Sequence, residues 1–192
     1  DKCETERDLA WQVNVETTRR LAHYAQQRGI GFIYISTDYV FDGETGAPYR
    51  ESQGVNPTSV YATTKLAGEH AALTYHSKAC IVRAALPYGD LPHVKKDFVR
   101  WLRTELEAKR RVRIVADQTS SPTYIGDLAQ AVTQLIALGQ AGVFHAAGKL
   151  GLSRLDYAKL IAKTFSLDAS LIDEVTTAEL KQPAKRPRDA RL

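Results

Sequence analysis

The chain has 192 residues, 44% hydrophobic and 25% charged, the balance of an ordinary soluble globular protein large enough to bury a real core. It contains no run of about 18 apolar residues and opens on no charged-then-apolar leader, so membrane and secreted classes are set aside and a cytoplasmic protein is expected. The net charge of +4 does not point to nucleic acid. Lys181, Lys185, Arg186, Arg188 and Arg191, against Asp189 alone, carry all of it in the last twelve residues, without interleaved aromatics. Cys3 and Cys80 stand outside any CxxC or metal-like spacing and read as unpaired thiols.

In chain order, apolar residues at helical intervals (Leu9, Val13, Leu21, Tyr24, Ala25) predict a helix over Glu4 to Arg28, stopped by Gly29. Phe32 to Ile35 has the β-branched and aromatic make-up of a buried parallel strand. A loop with three glycines and two prolines runs from Ser36 to about Thr58. A second helix is expected over Ser59 to His76 and a strand centred on Ile81 and Val82. A loop from Leu86 to Pro92 then leads to a helix from Lys95 to Lys109. Val112 to Val115 reads as a strand, Asp117 to Pro122 as turns, and Ile125 to Leu138 as a helix. A strand at Val143 to His145 precedes a last helix that Ser153 should cap, running through Phe165.

Helices alternating with short apolar strands predict an α/β, doubly wound parallel sheet. Sites in such sheets lie beyond the carboxyl ends of the strands, here after Ile35 and after Val82, where long irregular loops begin. A dinucleotide fold should open on a strand and a GxGxxG turn, and no such glycine pattern occurs. Either the first βαβ units lie outside this sequence or no dinucleotide binds.

Tyr61 and Lys65 share one helical face, and an ammonium near a phenol of pKa about 10 favours the phenolate, which suits the phenol for proton transfer. YxxxK alone is common on solvated helices. Its weight comes from Ser36-Thr37-Asp38-Tyr39 at a strand end, with 24 residues from Thr37 to Tyr61. A hydroxyl there can hydrogen-bond a carbonyl oxygen while Tyr61 delivers a proton.

Ser36-Thr-Asp-Tyr-Val-Phe-Asp-Gly43, Asn56-Pro57 and Tyr61-Ala-Thr-Thr-Lys-Leu-Ala-Gly-Glu69 resemble the dTDP-4-dehydrorhamnose reductase family, extended short-chain dehydrogenases/reductases. The likeness continues through Arg83, Tyr88-Gly89, Asp117-Gln118, Ser121-Pro122-Thr123, Asp127-Leu128-Ala129, Gly142 to Gly148 and Arg186-Pro187. The resemblance implies a Rossmann-like sheet lacking its first βαβ units and a small C-terminal substrate lobe. Residues 1–90 would be the rest of the dinucleotide-binding domain and residues 91–192 mainly the lobe, with Asp117 to Leu138 returning to the main sheet.

The same resemblance implies an NAD(P)H-dependent oxidoreductase of nucleotide-sugar metabolism, reducing the C4 keto group of dTDP-4-dehydrorhamnose to give dTDP-rhamnose. Thr37, Tyr61 and Lys65 would be catalytic. Ser36, Tyr61 and Lys65 would meet NADPH or NADH, and Thr37, Asp38, Tyr39 and Leu86 the sugar. Some members bind Mg²⁺ at a dimer contact; no ligands for it match here, and a homodimer stays open.

Dehydratases of related build place an acidic pair after the threonine, where this chain has Asp38 and then Tyr39, which favours ketone reduction over elimination. Leu86 stands where the reductases carry a tryptophan, so stacking on the sugar is lost there. Another nucleotide-sugar epimerase or reductase, and a non-catalytic module resembling the regulatory subunit of methionine adenosyltransferase, are the alternatives. Trp11 and Trp101 read as packing residues, and the histidines, including His93, have no ligand-like spacing. The basic terminus is either a solvated tail or a pocket contact.

Overall fold

The computed structural model describes residues 2–90 and 96–192. His93 and the expected helix start at Lys95 lie outside those residues. The opening helix is not continuous. Helix α1 (Lys2–Thr5) and helix α2 (Arg7–Trp11) are separated at Glu6, whose φ of −110° and ψ of 53° are not helical. A π-helical turn over Gln12–Glu16 then leads into α3 (Thr17–Arg28). At that turn the Thr17 hydroxyl donates to the Gln12 carbonyl at 2.9 Å, the five-residue step of a π-bulge.

Helix α3 ends at Gly29, whose φ of 62° is the left-handed stop that glycine supplies without strain. Along α2, the π-turn and α3 the periodic large residues face outward: Leu9, Val13, Leu21 and Tyr24 are all exposed, while Ala10, Val15, Thr18, Ala22 and Ala25 are buried. The buried stripe is small because the next helix packs very close. A Cβ on its Gly68 would collide with the Tyr34 hydroxyl and the Asn14 carbonyl.

The main sheet is built from β1 (Ile33–Thr37), β2 (Cys80–Ala84) and, much later, β7 (Gly142–Ala146), with α4 (Val60–Tyr75) connecting β1 to β2. Its order is β1-β2-β7, all parallel, with Ile33 opposite Cys80 and Cys80 opposite Gly142. Between β2 and β7 the chain forms β3 (Pro87–Tyr88), α5 (Phe98–Glu107), β4 (Val112–Val115), β5 (Thr119–Ser120), β6 (Thr123–Tyr124) and α6 (Ile125–Ala137). After β7 come β8 (Leu152–Ser153), α7 (Arg154–Thr164), β9 (Ile172–Val175) and α8 (Thr177–Leu180). The fold class is α/β with parallel strands, as expected. Strand β1 extends two residues further than expected, so Ser36 and Thr37 are its last residues, paired with Arg83 and Ala84, and do not follow it.

A second core lies outside this sheet. Leu102 and Leu106 of α5, Val112 and Ile114 of β4, and Leu155, Ala158, Ile161 and Ala162 of α7 form one buried cluster. Each such aliphatic side chain contributes about 1.5–3 kcal/mol of transfer free energy. β4 pairs in parallel with β9, and β5 pairs antiparallel with β8. The C-terminus is not a solvated tail. The Tyr49 amide donates to the Arg191 carbonyl at 2.8 Å, and the Ala190 amide to the Thr119 carbonyl at 2.9 Å. Arg191 also donates to the Gly46 carbonyl at 2.9 Å, so the terminus pins the long loop after β1. Among the described residues no helix is long and apolar enough to cross a membrane.

Candidate active site

The start of α4 is held from two directions. The Ser59 hydroxyl accepts from the Ala62 amide at 3.2 Å, and Glu4 of α1 accepts from the Val60 amide at 2.8 Å. Two of the otherwise unpaired first-turn donors are thereby satisfied, which fixes the turn that carries Tyr61. Asn14 of the π-turn donates to the Thr64 hydroxyl at 3.0 Å and braces the same turn.

The four-residue period places Tyr61, Lys65 and Glu69 on one side of α4, facing β1 and β2. Glu69 is buried and receives the Ser36 hydroxyl at 2.5 Å. Arg83 of β2 binds Glu69 with both ends of its fork, Nε to Oε1 at 3.0 Å and Nη2 to Oε2 at 2.7 Å. The Lys65 ammonium donates to the Ile35 carbonyl at 2.6 Å and lies 4.0 Å from the centre of the Tyr34 ring. Burial pulls the Lys65 pKa down to about 8, against the raising effect of Glu69.

Thr37, Asp38, Tyr39, Tyr61, Lys65 and Leu86 line a single cleft of 420 Å³ at the carboxyl end of β1. The Thr37 hydroxyl donates to Asp38 Oδ1 at 2.9 Å and accepts from the Tyr39 amide at 3.2 Å. The Tyr39 ring meets the Tyr61 ring edge-on, with centroids 6.4 Å apart. Burial raises the pKa of the Tyr61 phenol, and a hydrogen bond to Thr37 opposes that rise. The expectation that the Lys65 ammonium would lower it is therefore not met: desolvation dominates, and the ammonium is turned to the Ile35 carbonyl. Asp38 is fully buried, which pushes its carboxyl up to about 6 despite hydrogen bonds from Thr37 and Ser120.

Every residue singled out from the sequence reaches this region, but not in the same way. The Ser36 side chain also lines the cleft, yet its hydroxyl is committed to the buried Glu69. Leu86 carries a left-handed φ of 40°, an unusual conformation for a leucine and one found at functional sites. Three contributors were not singled out. Ser120 donates to Asp38 Oδ2 at 3.0 Å, Glu69 anchors Ser36, and Arg154 lines the cleft. Glu69 could have been found from the sequence, lying one turn beyond Lys65; Ser120 and Arg154 come from distant segments.

Arg154 also belongs to a neighbouring groove of 650 Å³. Lys96, Arg113 and Arg186 line that groove with it, and Phe98 and Trp101 provide ring surfaces. Trp101 is thus partly a groove wall and not simply the packing residue expected. Asp97, the groove's acidic residue, caps α5 by accepting from the Arg100 amide at 3.0 Å and also accepts from the Gly89 amide at 3.1 Å. Among the described residues no cluster of three or more His, Cys, Asp and Glu side chains is arranged for a metal ion.

The chain is similar to known proteins over its whole length. It is 37% identical over 191 residues to the dTDP-4-dehydrorhamnose reductase of Mycobacterium tuberculosis, covering 97% of this chain and 62% of that protein. Methionine adenosyltransferase 2 subunit beta of Bos taurus is 33% identical over 198 residues, covering 100% of this chain and 59% of the relative. The solved structure of dTDP-4-dehydrorhamnose reductase from Bacillus anthracis in complex with NADP superposes with a TM-score of 0.95 at 32% identity, over 100% of this chain and 67% of that one. The chain therefore spans about three fifths of the length of the curated relatives it matches. The family model for the RmlD substrate binding domain matches residues 1–192, and the chain belongs to that family.

Proposed function

We propose that residues 1–192 are the substrate-binding and acid–base part of a reductase acting on the keto group of a nucleotide-linked sugar, with dTDP-4-dehydrorhamnose as the leading substrate. The observation that carries this reading is the convergence of Thr37, Tyr61 and Lys65, with Asp38 and Tyr39, on one cleft. Burial keeps the Tyr61 phenol protonated at neutral pH, so it stands ready as the donor to the keto oxygen. Thr37, within hydrogen-bonding range of that phenol, orients the same oxygen. The Lys65 cation, one turn along α4 and anchored on the Ile35 carbonyl, brings positive charge to the same cleft. Asp38 and Tyr39 shape the sugar side of the cleft, and Leu86 gives it an apolar wall. A single acid after Thr37, with no second one beside it, suits reduction and not loss of water.

The donor set also fits the nicotinamide ribose of NADPH or NADH: an ammonium with donors to spare beside a phenol matches a vicinal diol. When bound, that cofactor supplies the hydride. Tyr61 and Lys65 would hold its ribose, and Ser36 would support them through Glu69. The Rossmann-type half would comprise residues 1–90 together with sequence outside this chain, and residues 91–192 would mainly hold the nucleotide end of the substrate.

The likeness to the bovine β subunit supports a second reading, in which the same cleft binds without turnover. The protein expressed from its complete gene, given NADPH or NADH and dTDP-4-dehydrorhamnose, separates the two. Cofactor oxidation with formation of the reduced sugar supports the reductase. Tight cofactor binding without turnover across a panel of nucleotide-linked keto-sugars supports the regulatory module.

A further inference from the structure

We infer that Arg154 is the specificity-determining residue for an oxyanion on the substrate, held where the Tyr61 cleft opens into the basic groove. This inference rests on the reading of the cleft as a nucleotide-sugar site. It goes beyond that reading by assigning recognition of charge to one side chain. Arg154 is the first residue of α7, and its guanidinium lines both the 420 Å³ cleft and the 650 Å³ groove. Its side chain is half-buried, and among the described residues no carboxylate lies within ion-pair distance of it. A desolvated guanidinium without a counter-ion is costly, and a bound anion removes that cost.

The surroundings of Arg154 fit this role. The ring of Phe98 lies under the guanidinium at 4.8 Å, which fixes its plane. The Tyr39 hydroxyl lies against it, and Asp38, the nearest acid, acts on it only across a distance while engaged by Thr37 and Ser120. Arg186 stands close enough to repel it, so two cations converge on one mouth. Leu86 shares the cleft wall and offers neither a donor nor a ring face. Recognition at this point therefore falls to a planar fork with parallel donors, the geometry that reads a carboxylate or a phosphate.

Two sources could present that anion: the phosphate next to the sugar, or a carboxylate on the sugar itself. Titration calorimetry on the complete protein, with dTDP-glucose and dTDP-glucuronate as probes, distinguishes them. Arg154→Gln should weaken dTDP-glucuronate at least tenfold, and Arg154→Lys should recover part of the loss because charge returns without the fork. An equal loss for both probes assigns the phosphate. A preference of the wild type for dTDP-glucuronate that vanishes in Arg154→Gln assigns the carboxylate. An unchanged melting temperature shows that the variants are folded. Equal binding by wild type and Arg154→Gln, or no binding of either probe by wild type, overturns the inference. The reductase reading fails separately, through an absence of turnover in protein that still binds these probes.

Discussion

The Ser120 hydroxyl donates to the Asp38 carboxylate at 3.0 Å, joining residues 82 positions apart in the chain. Through this bond β5, which pairs with β8 and receives the C-terminus, is tied to the strand that carries Thr37. The cleft is thus closed by elements from both cores. Asp38 is its most heavily desolvated acid, and hydrogen bonds from Thr37 and Ser120, with the distant Arg154, favour its charged form against that burial.

A specific pH dependence of stability follows. The folded-state pKa of Asp38, about 6, lies above the roughly 3.9 of a free aspartate. As pH rises from about 4 to about 6 the unfolded chain gives up this proton first, so stability falls across that window, by on the order of 3 kcal/mol, and is level on either side. Asp38→Asn should flatten that part of the profile, and Ser120→Ala should move its upper end to higher pH. Melting temperatures across the pH range check both. A wild-type slope persisting in Asp38→Asn would show that another group is responsible.

Activity should have a basic limb set by Lys65. Its cation is lost as pH rises through about 8, because burial has lowered its pKa. The Tyr61 phenol, raised by burial, remains protonated over the same range. The kcat/KM profile for keto-sugar reduction should therefore decline above about pH 8. Glu69→Gln removes the carboxylate that supports the cation and should shift the limb to lower pH. A limb that does not move in Glu69→Gln would contradict this assignment.

The buried Arg83–Glu69 pair should be costly to break and cheap to replace. Side-chain exposures of 5% and 2% leave almost no water to solvate a lone partner. Glu69→Ala should destabilise by about 3–5 kcal/mol, whereas replacing both residues by apolar ones of similar volume should recover most of the loss. Denaturant midpoints for the single and double variants test this, and an additive pair of losses would count against it.

Much of this architecture is legible in local sequence. Val112–Val115 appears as expected because its β-branched residues alternate with exposed Arg113 after the charged Arg110-Arg111, and Ser153 caps α7 by accepting from the Asp156 amide at 2.9 Å. Tyr61 and Lys65 converge because a helix makes i and i+4 neighbours, whatever the rest of the fold does. Strand β9 was not legible: Ile172-Asp-Glu-Val175 is half acidic, and it forms only because β4, about 60 residues earlier, offers it an edge. The outward face of the opening helical segments misleads for the opposite reason. Their large apolar residues dominate the pattern, while α4, drawn close at Gly68 against the Asn14 backbone, leaves room for only small residues on the buried side. Ser120 and Arg154 carry no local signal at all, since their roles exist only once the second core is folded against the sheet.

The most direct test of the account is Tyr61→Phe in the protein made from its complete gene, assayed for NAD(P)H oxidation with dTDP-4-dehydrorhamnose and, in parallel, for cofactor and dTDP-sugar binding. Removing one oxygen takes away the proton donor and leaves the cleft's shape. The account predicts loss of turnover by at least a hundredfold, with both binding constants within a few-fold of wild type. Turnover at the wild-type rate in Tyr61→Phe would contradict it.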